Sequence, residues 1–156
     1  MNSNETVDDT RLTEATMNHR EPFKTCPCCA RVWPTRETFL ADDALVLDGY
    51  SADLEILEQG IFYFTHKIPA CNSTLALEVG DFMDLYPGSR YPEPRTGTPE
   101  CPGYCLDRDQ LARCSATCRN AVVREILQLL LNRTHRTAPD RPTIGMPPAA
   151  EPHDAP

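Results

Sequence analysis

The sequence has no apolar run long enough to serve as a secretion signal or to cross a bilayer. Its longest apolar run, residues 126–131, is interrupted by Gln128, and residues 1–20 mix acidic and polar side chains. A signal peptide and a membrane helix both need a longer uninterrupted stretch. We therefore expect a cytoplasmic chain without a membrane partner, in a compartment where thiols stay reduced.

The common catalytic motifs are also missing. There is no glycine-rich phosphate loop, no His-Glu-x-x-His helix and no serine nucleophile elbow. Two acidic pairs, Asp42 with Asp43 and Asp81 with Asp84, fall at predicted helix ends, where carboxylates typically cap a helix or face solvent. We assign no catalytic residue, and the pattern favours a non-enzymatic protein.

The net charge of −8 is unevenly distributed. Residues 23–100 contain six basic and twelve acidic side chains, whereas residues 101–136 contain six basic and three acidic ones. An acidic body disfavours nucleic-acid binding, which depends on neutralising phosphates. The basic residues of the predicted C-terminal helix form either a solvated face or a contact for an unknown protein partner; they are Arg119, Arg124, Arg133 and Arg136.

Both ends of the chain differ in composition from its middle. Residues 1–22 are polar and without periodicity, and residues 137–156 contain six prolines. We expect a disordered leader and a disordered proline-rich tail around one cysteine-rich domain at 23–136.

Periodicity within the domain predicts an α+β fold with a small antiparallel sheet, short helices and a long C-terminal helix. The clearest strand is the aromatic segment 61–66. In chain order, the predicted elements are a short helix capped by Thr35, a mainly extended stretch over 44–57, strands over 61–66 and 74–79, a short helix from Gly80, and a long helix over 107–133.

The first cysteine constellation consists of Cys26-Pro-x-Cys29 together with His66 and Cys71. Two thiolates two residues apart can converge on one ion, and three sulfurs with one imidazole are a common closed zinc set. His66 is predicted on the inward face of its strand. The alternative is that the cysteines are ordinary buried thiols and His66 is a hydrogen-bonded core histidine. Many such turns have glycine after the second cysteine, where this chain has Ala30.

The second constellation consists of Cys101, Cys105, Cys114 and Cys118. Pro102 and Gly103 place the first pair in a loop, and the predicted helix places the second pair one turn apart. A loop pair facing a helix pair is a treble-clef-like arrangement that can hold zinc or an iron–sulfur cluster. A disulfide-bonded helical hairpin and plain burial of the thiols are the alternatives.

Eight cysteines and His66 provide two sets of four ligands with one thiol, Cys28, left over. We therefore expect two zinc ions that staple a small zinc-ribbon or treble-clef-like domain, in a protein that acts as an interaction or regulatory module. One alternative is a thiol-based redox switch in which Cys28 cycles with Cys26 or Cys29. Another is an iron–sulfur protein that uses the second constellation. Cys28 itself is either a reactive thiol or an inert spare.

Cysteine, aromatic, glycine and other residues follow one another in a set order along the chain from residue 26 to residue 105. They are Cys26-Pro-x-Cys29, Trp33, Phe39-Leu40, Gly49-Tyr50, Gly60, the aromatic strand to His66, Cys71, Thr74-Leu75 and Cys101-Pro-Gly-Tyr-Cys105. This order resembles a group of uncharacterised small cysteine-rich bacterial proteins, over about residues 26–131. The resemblance implies that the two constellations belong to one module, and it implies no activity.

Overall fold

The computed structural model describes residues 21–135, so the predicted leader and tail lie outside the described residues except for residues 21 and 22. The described chain is a small α+β unit with two antiparallel sheets, which confirms the predicted class. Its elements in chain order are β1 (Lys24–Thr25), β2 (Val32–Trp33), α1 (Arg36–Leu40), β3 (Leu45–Ser51), β4 (Ile61–Ile68), β5 (Cys71–Glu78) and α2 (Ala121–His135), with 3₁₀ helices at Leu57–Gln59, Val79–Leu85 and Tyr104–Leu106.

The larger sheet has the order β3-β4-β5, with both pairings antiparallel. Alternate residues of β4 point into the core, as the aromatic pattern predicts: Phe62, Phe64 and His66 are all buried. Leu75 and Leu77 of β5 are buried on the same side. The inward position predicted for His66 is therefore confirmed.

The smaller sheet is the two-residue pairing of β1 with β2, followed at once by α1. The Thr35 hydroxyl accepts a hydrogen bond from the Thr38 backbone N–H, and the Thr38 hydroxyl accepts one in return from the Thr35 N–H. This reciprocal capping starts α1 where the sequence predicts it. Phe39 of α1 packs edge-on against Trp33 and Phe64, which joins the small sheet to the large one.

The long helix predicted over 107–133 is wrong in its first half, because α2 begins only at Ala121. Several backbone N–H groups before Ala121 donate to acceptors that are not part of a helix. The Asp109 N–H donates to the Asp107 carboxylate, the Ala112 N–H to the Gln110 side chain, and the Arg119 N–H to the Glu93 carbonyl. Asp and Gln side chains compete in this way with helical hydrogen bonds. Cys114 and Cys118 consequently do not share a helix face.

The helix α2 packs on the core through Val123, Ile126, Leu127 and Leu130, all fully buried. Leu129 of the same helix is 37% exposed. No helix within residues 21–135 is long and apolar enough to cross a bilayer.

A chain segment without regular strands lies across the free edge of β3. The Tyr50 backbone N–H donates to the Arg108 carbonyl (2.9 Å), and the Arg108 guanidinium lies 4.1 Å from the centre of the Tyr63 ring. A Cβ atom on Gly49 would come within 3.0 Å of the Arg108 side chain, so glycine permits this close approach. The contact holds the Tyr104–Leu106 helix against the sheet.

Candidate metal centre

The turn between β1 and β2 presents Cys26 and Cys29. Its backbone is closed by two hydrogen bonds, from the Cys26 N–H to the Arg31 carbonyl (2.7 Å) and from the Ala30 N–H to the Cys26 carbonyl (3.0 Å). The backbone amides of Cys28 and Cys29 point at the Cys26 sulfur. Amides aimed at a sulfur stabilise a thiolate, as around metal-bound cysteines.

Ala30 closes this turn with φ of +59° and is the one non-glycine residue with positive φ within residues 21–135. This left-handed conformation costs an L-residue about 1–2 kcal/mol, which glycine avoids. Glycine, which many such turns have at this position, is therefore also the residue that the backbone conformation favours here.

We expect Ala30→Gly to raise the free energy of unfolding by about 0.5–1 kcal/mol, because relief of the strain exceeds the extra entropy of glycine in the unfolded chain. Urea unfolding measures the change. Ala41→Gly is the matched control: Ala41 has φ of −90°, so glycine brings no relief there and should destabilise the protein. Equal losses in both variants would contradict the prediction.

The other two ligands come from the β4–β5 hairpin. His66 pairs across the sheet with Ser73, and Cys71 pairs with Ile68 beside the two-residue turn. Both His66 and Cys71 are buried. The hairpin end thus faces the Cys26–Cys29 turn, and the sequence-predicted first set is brought together.

The four ligand atoms lie within 4.8 Å of one another. The Cys26 and Cys71 sulfurs are 3.5 Å apart, and the Cys29 sulfur is 3.5 Å from Nδ1 of His66. A tetrahedral zinc ion with normal bond lengths would require S···S edges of about 3.8 Å and S···N edges of about 3.6 Å. A disulfide needs a separation of about 2.05 Å, and all these cysteines are free. Two of the distances are therefore close to tetrahedral edges, and the four residues can hold a metal ion.

The site favours thiolates at two of its sulfurs. Burial would raise the pKa of Cys26, but the N–H groups of Cys29 and Cys28 and the Ser73 hydroxyl outweigh burial and lower the pKa to about 5. The backbone N–H of Ser73 likewise lowers the pKa of Cys71, against the effect of its burial. Thiolates are the form in which cysteine binds metals.

The remaining two ligands respond to that negative charge. Burial opposes protonation of His66, yet hydrogen bonding to Cys26 and Cys71 raises its pKa. The Arg31 N–H favours the Cys29 thiolate, but burial and the adjacent Cys26 and Cys71 outweigh it, so the pKa of Cys29 is raised. Both shifts express the same feature, a pocket of negative charge that attracts a cation.

Three further residues support the ligands, and the ligand pattern did not predict them. The Ser73 hydroxyl lies 3.3 Å from the Cys26 sulfur. The Trp33 ring packs edge-on against His66 at 5.2 Å between centroids, and its indole N–H donates to the Asp42 carboxylate at 2.9 Å. Register could have identified Ser73, since it lies directly opposite His66.

Cys28 lies in the same turn but points outward and does not belong to the group of four. The neighbouring Cys71, and more weakly Cys26, raise its pKa. A nearby cation would lower the pKa of Cys28, but both candidates are engaged elsewhere. The Lys24 ammonium donates to the Ala76 carbonyl, and the Arg31 guanidinium lies 3.4 Å from the Asp42 carboxylate. Activation of Cys28 by a nearby cation is thus not a feature of this turn.

The second set is not brought together. Within residues 21–135, only the first set forms a group of three or more ligands inside 4.8 Å. Cys118 is buried, whereas Cys101, Cys105 and Cys114 are half-buried. Metal binding by these four cysteines stays a prediction.

No protein-family model matches this chain, and comparison with curated proteins and with solved structures found no match.

Proposed function

We propose that this chain is a zinc-binding protein whose first site is structural and joins the β1–β2 turn to the β4–β5 hairpin. The observation that carries the proposal is the convergence of three sulfurs and one imidazole nitrogen within 4.8 Å of one another, with two of the distances at 3.5 Å. Four protein ligands leave no coordination position for a substrate or water, which is typical of structural and not catalytic zinc.

Zinc fits this donor set better than the other common metals. Thiolates and imidazole suit zinc, whereas magnesium and calcium prefer carboxylate, carbonyl and water oxygens. The β1–β2 sheet has only two residues in each strand, so an ion that binds both sheets would add stability that so small a sheet lacks. With its metal used structurally, the domain would serve as an interaction or regulatory module.

Full-length protein purified under reducing conditions should contain zinc at the first site, and Cys29→Ser should remove one equivalent per chain. Cys28→Ser is the matched control from the same turn and should retain all of the zinc. Elemental analysis of the three proteins measures the content. Two results would refute a structural zinc site here. One is a wild type in which every transition metal is present at less than half an equivalent; the other is a Cys29→Ser variant with as much zinc as the wild type.

The exposure of Cys28 beside Cys71 and Cys26 favours a second candidate function, a thiol switch. In that function, a two-electron oxidant such as hydrogen peroxide would join the Cys28 thiol and a neighbouring zinc-bound thiolate in a disulfide. The pair would lose two electrons and one proton, and zinc would be released. Timed alkylation of the same zinc-loaded protein separates the functions. Slow labelling of Cys28 supports the structural site, whereas fast selective labelling with reversible zinc release would support the switch.

A further inference from the structure

The strongest unexplained feature outside the first site is the buried cation Arg124. Its side chain is 0% exposed, and no carboxylate within residues 21–135 forms an ion pair with it. The guanidinium donates to the Tyr104 and Gln110 carbonyls and lies 5.3 Å from the centre of the Tyr50 ring. The sequence pattern placed Arg124 among residues of a solvated or partner-binding helix face, and burial corrects that. Buried charges in proteins are normally balanced by an opposite charge.

Other polar atoms next to Arg124 also lack partners. Asn120 is 1% exposed, and neither atom of its amide has a hydrogen-bond partner among the described residues. The Tyr50 hydroxyl is likewise buried and unpartnered there. Unsatisfied buried groups are rare in proteins, and a buried water or a bound ion commonly supplies the partner.

Cys105 borders this cluster, and three further cysteines lie in the same stretch of chain. The Cys105 thiol lies near Arg124, Asn120 and Cys114, although its geometry to the Asn120 amide falls short of a hydrogen bond. Cys118 comes three residues before the start of α2, whose N-terminus carries partial positive charge. Its sulfur accepts a hydrogen bond from the Arg95 backbone N–H at 3.1 Å.

Cys101 is bonded in the same way as Cys118. Its sulfur accepts a hydrogen bond from the Gly103 backbone N–H at 3.4 Å. Backbone N–H groups directed at sulfur are found where thiolates bind metals.

We propose that Cys101, Cys105, Cys114 and Cys118 bind a second zinc ion as a tetrathiolate site with Arg124 as its buried counter-charge. Zinc with four thiolates carries a net charge of −2, which the guanidinium and the N-terminus of α2 offset. The Asn120 amide N–H would donate to a sulfur. This site is independent of the first one.

The four sulfurs do not form a coordination shell in this structure, so the segment must draw in around the ion. Its secondary structure permits this. Between the 3₁₀ helix that ends at Leu85 and the start of α2, the only regular element is the short helix Tyr104–Leu106. Such long irregular segments are uncommon in compact domains unless they bind something. A zinc ion would supply the missing constraint.

The test uses the full-length wild-type chain loaded with zinc alone. Native mass spectrometry should show two zinc ions, and iodoacetamide should label Cys28 first. Adding a zinc chelator should expose Cys101 and Cys114 to labelling. One zinc ion, with labelling of Cys101 and Cys114 unchanged by the chelator, would overturn the proposal. Failure of the first site would appear separately, as labelling of Cys29 before the chelator is added.

Variants give a second readout. Cys101→Ser and Cys114→Ser should each lose one zinc and keep the other. Arg124→Met should weaken binding of the second zinc about 10–100-fold, as loss of a supporting group does at metal sites, and leave the first unchanged. Arg113→Met is the matched control, since Arg113 is exposed and pairs with Glu125.

Three results would overturn the proposal. The first is equal affinity for the second zinc in the Arg124→Met variant and the wild type. The second is a disulfide between Cys105 and Cys114 in protein purified under reducing conditions. The third is iron with visible absorption in place of the second zinc, because it would replace the proposed ion by a cluster.

Discussion

Cys29→Ser and His66→Ala should each abolish most of the zinc-dependent stability, and the double variant should lose little more than either single variant. Both residues would bind the same ion, and their ligand atoms are 3.5 Å apart. Once one ligand is gone, the second substitution acts on a site that is already broken. Structural zinc contributes on the order of 10 kcal/mol in small domains, comparable to the whole stability of a typical domain.

A double-mutant cycle measured by urea unfolding in excess zinc gives the coupling. The control cycle combines Cys28→Ser with His66→Ala. Cys28 lies in the same turn as Cys29 but outside the group of four, so this cycle should be additive. If Cys29→Ser and His66→Ala are also additive, the two residues do not share an ion.

Trp33→Ala should lower the free energy of unfolding by about 3–5 kcal/mol, the usual cost of removing a large aromatic side chain from a core. Trp33 is fully buried and packs edge-on against both Phe39 and His66. Its loss also leaves the Asp42 carboxylate without the indole N–H donor. Calorimetric or denaturant unfolding of the zinc-loaded protein measures the change.

The neighbouring residue provides the control for Trp33. Val32 lies on the same strand but is 48% exposed, so Val32→Ala should change stability by less than about 0.5 kcal/mol. Trp33→Phe should be intermediate, because it keeps a ring in the core and removes only the hydrogen bond and part of the volume. A loss of under about 1 kcal/mol for Trp33→Ala would mean that the small sheet does not depend on this contact.

The sequence could predict the first ligand set because two short-range regularities determine it. Cys26 and Cys29 fall within one tight turn, whose spacing fixes their separation. His66 alternates with Phe62 and Phe64, so the pleat of the strand places all three on one face. What the pattern could not give is the approach of the turn to the hairpin, which depends on packing by Trp33 and Phe39.

The sequence failed for residues 107–120 because two physical rules conflict there. Leu111, Cys114, Cys118 and Val122 recur at helical spacing, which favours a helix. Asp107 and Gln110, however, supply side-chain acceptors that take the backbone N–H groups a helix would need. The spacing of apolar residues does not reflect this competition for backbone N–H groups. The burial of Arg124 was also missed. Its charge predicted an exposed side chain, although its position along the helix is a buried one.

The order of the four ligands along the chain has a consequence for folding kinetics. Two come from a turn that closes locally and two from one hairpin, but Cys26 and Cys71 are separated by 45 positions. Each pair can form early as a local unit, whereas joining the pairs requires closure of a long loop. If zinc joins the pairs late, interactions to the ion are absent from the transition state for folding. Zinc would then act mainly by slowing unfolding, so that the lifetime of the folded chain follows the residence time of the ion.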